Sequence, residues 1–161
     1  MGDPVSAATM ELWLTAAQQA LCSVATSALA FDEAVITEPR VAVPTTLYGA
    51  MISIVGDTES IELAISSTTA VGQRLTKAML MEDGPDDLPE SDVVDSLGEI
   101  ANMIAGGVKK RLAPDRPGLR LGLPLFIDGT VEGKRGAESA ATIIRLGDAD
   151  VHLIVFLHKA H

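Results

Sequence analysis

Glu99 and Asn102, a carboxylate and a carboxamide, stand three positions apart in a run patterned as a helix over residues 92–112. At that spacing the two side chains project next to each other from a rigid support. The carboxylate can pair with a cation, and the carboxamide can donate and accept hydrogen bonds at once. Gly106 and Gly107 follow one turn later. Each costs about 1 kcal/mol relative to Ala in a helix interior, so two together need a reason. Two reasons are open: another molecule approaches the helix beside Asn102, or a segment of the same chain packs there. No other residues assemble a nucleophile with a base, or a metal-ligand cluster. His152, His158 and His161 lie on or after the last predicted strand and read as surface or edge-strand residues. On spacing alone, Glu-x-x-Asn is only a polar pair on a solvated helix face.

The supporting helix has two sides at about 100° per residue. Val93, Val94, Leu97, Ile100, Ala101, Ile104, Ala105, Val108 and Leu112 form a broad apolar arc, and Asp92, Asp95, Glu99, Asn102, Gly106 and Lys109 form a narrow polar stripe opposite. Ser91 reads as the N-cap. Asp92 and Asp95 suit the positive end of the helix dipole, and Lys109, Lys110 and Arg111 suit the negative end. An acidic, Pro-interrupted loop over residues 82–90 precedes it and reads as solvated linker.

Around this helix the pattern predicts a first helix over 10–30, extended structure from 41 to 43 with an edge or turn at Pro44, and a hairpin of strands 47–55 and 60–66. A second helix over 68–80 follows, then strands 119–125 (extensible to 127), 140–146 and 151–158. Residues 129–136 read as a polar turn, and 147–150 as the turn of a last hairpin. This order gives an α/β chain of the α+β type, a single domain over 1–161 with helices packed on a largely antiparallel sheet.

Composition narrows the function. The 161 residues are 47% hydrophobic and 21% charged, enough for one domain with a substantial aliphatic core. A net charge of −10 makes nucleic acid or a membrane surface an improbable partner. The apolar run in the first helix is broken by Gln18 and Gln19, and no Lys or Arg precedes Arg40, so it reads neither as a span nor as a signal peptide. Cys22, the one cysteine, reads as a small packed residue, and a cytoplasmic setting is the expectation.

The string Asp95-Ser96-Leu97-Gly98-Glu99-Ile100-Ala101-Asn102-Met103-Ile104-Ala105-Gly106-Gly107-Val108-Lys109 closely resembles the signature helix of the CheX branch of the CheC/CheX/FliY chemotaxis phosphatases. The resemblance extends over about residues 48–127, including Ser60–Ile65 before the site and Leu121-Gly122-Leu123-Pro124 after it. It implies a phosphatase acting on the phosphoaspartate of a CheY-like receiver domain. In that scheme Asn102 orients the attacking water and Glu99 contacts the receiver's lysine. The receiver supplies its own Mg²⁺, and this chain needs no cofactor or metal. Asp95, Met103, Gly106 and Gly107 then border the partner, with helix packing an alternative use for Met103. The CheC branch carries a second such site on its first helix, but Glu11-Leu12-Trp13-Leu14 lacks the Asn, so one site per chain is implied. A homodimer is also implied, with Trp13 packed at a domain or subunit contact. The rival reading is a non-catalytic, receiver-binding adaptor of the same fold, like FliM.

Overall fold

A computed structural model describes residues 4–131 and 138–159. Its elements in order are α1 (Pro4–Ser27), β1 (Ala34–Val41), β2 (Thr46–Val55), β3 (Glu59–Ser66), α2 (Thr69–Leu80), α3 (Glu90–Leu112), β4 (Arg120–Leu121), β5 (Leu125–Thr130), β6 (Glu138–Leu146) and β7 (Ala149–Lys159). Alternation along the central strands sorts the sheet into two faces. Ile52 and Ile54 of β2, Ile61, Leu63 and Ile65 of β3, and Leu153, Val155 and Leu157 of β7 pack with the helices in the main core. Met51, Ala64, Ala141 and Ile154, from the intervening positions, form a smaller cluster on the opposite face. The seven strands are antiparallel in the order β1-β6-β7-β3-β2-β4, and β5 also pairs with β2. Three helices on an antiparallel sheet is the expected class.

The β2–β3 hairpin and α2 lie where the pattern placed them, and Thr68 caps α2 by accepting a hydrogen bond from the Val71 N–H. Gly72 lets α2 settle on the sheet: a Cβ there would stand 2.8 Å from the Tyr48 ring, which itself meets Phe126 edge-on. Elsewhere tertiary structure moved the boundaries. Helix α1 ends at Ser27, ahead of the left-handed Ala30. The strand expected from residue 41 instead ends there and occupies the edge beside β6. Its pairing is irregular around Pro39, which has no N–H for a regular ladder. Pro124 divides the strand expected over 119–125 into β4 and β5, both against β2. Ser91 is not the N-cap: α3 begins at Glu90 after Pro89, whose carbonyl accepts from Asp92. A proline just ahead of the helix fixes its entry through its own φ. His152 and His158 lie on β7, an interior strand rather than an edge, and His158 pairs with Glu62 at 3.0 Å. His161 and most of the 129–136 turn lie outside the described residues.

Trp13 is not at a domain or subunit contact. It is fully buried in the main core, and its indole N–H donates to Glu59 at 3.1 Å. Glu59 also accepts from Arg116 and from Thr58, so one carboxylate joins α1, the start of β3 and the segment after α3. Gln18, likewise buried, donates to Thr142 at 2.9 Å, and Thr142 donates to the Pro39 carbonyl. These two polar ties fix α1 along the sheet. Cys22 is half-buried on the same helix, and burial pushes its thiol pKa up, away from a reactive thiolate.

Candidate functional site

Helix α3 lies between α1 and α2 and over β2. Val93, Leu97, Ile100, Ala101, Ile104, Ala105, Val108 and Leu112 are buried, the face expected from the periodicity. Val94, counted on that arc, is only half-buried at its margin, whereas Ser96 and Gly98 are buried. Each buried Leu, Ile or Val contributes about 1.5–3 kcal/mol, so α3 is a rigid support for its outer face.

Asp95, Glu99 and Asn102 are exposed on that outer face. Neither Glu99 nor Asn102 is drawn into a hydrogen bond or ion pair with another described residue. Their polar atoms are therefore available to a partner. Exposed charge changes sign along the helix, from Asp95 and Glu99 to Lys109, Lys110 and Arg111, with Asn102 between the two groups. Met103 is half-buried, packed against the core on one side and lining an open groove between α1 and α3 with Ser23, Val24, Gly107 and Lys110.

The two glycines have different surroundings. A Cβ on Gly107 would stand 3.1 Å from the Ala20 Cβ and 3.0 Å from Arg111 Nη1, so close packing of α1 on α3 accounts for its small size. A Cβ on Gly106 would meet nothing within 4 Å. Gly106→Ala should therefore raise stability by about 0.5–1 kcal/mol through helix propensity alone. That corresponds to a melting temperature about 1–4 °C higher. An unchanged or lower melting temperature would mean that Gly106 is held by packing within the chain.

Nothing in the local pattern places Gly98 near residue 124. Pro124 Cγ lies 3.5 Å from where a Gly98 Cβ would be, setting the β4–β5 connection against the helix one position before Glu99. Only the turn position, Leu-Pro after a strand, hinted at it. On α1, Glu11 is paired with Arg40 at 2.8 Å and Leu14 is fully buried. The position three residues after Glu11 is thus part of the core. Among the described residues no group of His, Cys, Asp or Glu is placed to hold a metal ion, and no helix is long and apolar enough to cross a membrane.

The family model for the chemotaxis phosphatase CheX matches residues 48–145, and the chain belongs to that family. No curated protein matches the chain at the sequence level. Among solved structures it is similar to a chemotaxis protein CheX from Desulfovibrio desulfuricans, at 19% identity over 91% of this chain and 99% of that one, with a TM-score of 0.75. It is also similar to the CheX protein of Vibrio vulnificus (19% identity, 91% and 96% covered, TM-score 0.72). A third similar structure is the CheX–CheY–BeF3–Mg²⁺ complex of Borrelia burgdorferi (17% identity, 93% and 97% covered, TM-score 0.69).

Proposed function

We propose that this chain hydrolyses the phosphoaspartate of a CheY-like receiver domain. The observation that carries the reading is the freedom of Glu99 and Asn102: exposed together on the rigid outer face of α3, inside the family-matched region, and bonded to no other described residue. The Borrelia relative was captured with CheY, BeF3 and Mg²⁺, which supports a CheY-like receiver as this chain's partner.

In this reading the receiver brings the acyl phosphate, a Mg²⁺ ion that neutralises phosphoryl charge, and a lysine. Glu99 pairs with that lysine and fixes the docked register. The Asn102 carboxamide holds a water in line with phosphorus. The water oxygen forms the new P–O bond, the bond from phosphorus to the aspartate oxygen breaks, and its electron pair restores the carboxylate. Both protons of the water leave with inorganic phosphate. Such a transfer requires positioning more than covalent help, so no nucleophile is needed on this chain. Asp95 extends the acidic side of the face, Met103 flanks Asn102, and Gly106 leaves room for the partner's backbone. Gly107 serves that approach indirectly, by keeping α1 close to α3. The whole chain acts as one domain in the cytoplasm, and as a homodimer for which an outer sheet edge offers unpaired backbone.

The test is to phosphorylate the receivers encoded alongside this chain and follow phosphate loss with and without it. Faster decay of at least one receiver is expected. If receivers bind and none decays faster, the chain is an adaptor and the hydrolase reading is wrong. Sedimentation as a monomer at working concentrations would remove the dimer.

A further inference from the structure

Asp92, Asp95, Glu99, Asn102, Gly106 and Lys109 follow one another along α3 at spacings of three, four, three, four and three. A mean step near 3.5 residues keeps all six close to one straight seam of the helix. The series of spacings reads the same in both directions. A second copy laid antiparallel on the seam therefore sets Asp92 opposite Lys109, Asp95 opposite Gly106 and Glu99 opposite Asn102, each pairing occurring twice. Opposite charges meet at both ends. In the middle, the Asn102 carboxamide can donate to the Glu99 carboxylate of the other copy. Gly106 has open space where a Cβ would stand, so nothing there crowds Asp95. The side chains of Asp92, Glu99, Asn102 and Lys109 are bonded to no other described residue, which leaves them free for such a pairing.

We infer that the outer face of α3 is a self-docking surface: a second copy of this chain pairs with it antiparallel, covers Glu99 and Asn102, and withholds them from the receiver. Both halves of the complementarity are carried by this one chain, and a two-fold contact requires such self-complementarity. A dimer through a sheet edge would leave α3 open, so the two contacts differ in consequence. The net charge of −10 opposes the approach of two copies. Screening limits that repulsion to about 8 Å at physiological salt, where the contact pairs set the register. The pairing is accordingly weak and concentration-dependent. That the covered site is catalytic rests on the phosphatase reading above; the pairing itself does not.

The test uses the full chain as wild type, Asp92→Lys, Lys109→Glu and the double variant, with sedimentation for association and phosphate release at subsaturating receiver for turnover. Each single change sets like charges together at both ends of the pair and should weaken association about tenfold. The double variant exchanges the two charges and should restore it, which damage to the helix ends could not do. Turnover per wild-type chain should fall by about half where half the chains are paired, and stay level over that range in either single variant. Wild-type association that the single changes do not weaken lies elsewhere, at a sheet edge for instance, and overturns the inference. Association lost in the single variants and not regained in the double also overturns it. So does wild-type turnover that stays level while the chains pair, or a wild type that does not associate at all. If the four proteins associate as expected but wild type speeds the decay of no receiver, the phosphatase reading fails. Self-docking then stands if bound receiver displaces the second copy, and is wrong if receiver binds without displacing it or does not bind.

Discussion

Asn102→Ala should lower the acceleration of receiver dephosphorylation by about a hundredfold, close to 3 kcal/mol of barrier. The half-saturating receiver concentration and the melting temperature should stay near wild type. The size follows from the role: positioning a single water in line removes much of the entropy cost of attack, and alanine has no atom to hold it. The invariance of stability follows from the structure, since Asn102 is exposed and bonded to no other described residue. Glu99→Ala should differ in kind, raising the half-saturating concentration as well as slowing turnover, because its proposed pairing with the receiver's lysine acts in docking. Asn102→Asp is the stricter variant. It keeps the shape but brings a negative charge toward the phosphoryl oxygens, and it should be no better than alanine. Assays of phosphate release across receiver concentration separate these outcomes. Wild-type turnover by Asn102→Ala would exclude the carboxamide from the reaction.

Glu59→Ala should destabilise the fold by about 3 kcal/mol near neutral pH, the low end for breaking a buried ion pair. The carboxylate is 9% exposed and accepts from Trp13, Thr58 and Arg116. Without it the fully buried indole N–H loses its acceptor and Arg116 loses its counter-charge, although Arg116 at 28% exposure can still reach water. The pH dependence has a definite sign. Burial alone would raise the Glu59 pKa, but the hydrogen bonds from Arg116 and Trp13, with the guanidinium charge, outweigh it and hold the pKa below the usual carboxylate value. A depressed folded pKa means that the stabilisation is fully present above the unfolded value, about pH 4.3, and is lost as pH falls through the lower folded one. Denaturant titrations should show the gap between wild type and Glu59→Ala constant near neutrality and closing in acid. A gap that does not change down to strongly acidic pH would mean that Glu59 acts through packing alone.

Local pattern carried most of the architecture. The 3.6-residue period from Val93 to Leu112 and the apolar runs of β2, β3, β6 and β7, bounded by turn residues, are properties of neighbouring residues, so those elements were readable from composition and order. The Glu99–Asn102 pair was readable for the same reason, since one helix sets their separation. Boundaries that depend on distant partners were not. Pro124 divides an apparent strand because β2 pairs with both pieces while Pro124 packs on Gly98. Val35–Val41 shows no clear strand alternation because, as the edge strand beside β6, it is mostly exposed.

Shared helix faces and the pairing of neighbouring hairpins were thus set by the local order of residues. Packing between distant elements settled that Gly107 serves α1 while Gly106 faces open space, although the two are adjacent and chemically identical. It also decided that Trp13 satisfies its N–H at Glu59, forty-six residues away, and that Pro124 stands beside the helix of Glu99. The difference has one physical cause. Backbone periodicity acts over a few residues, whereas burial and free space are set by what the folded chain brings alongside, and no local pattern encodes that.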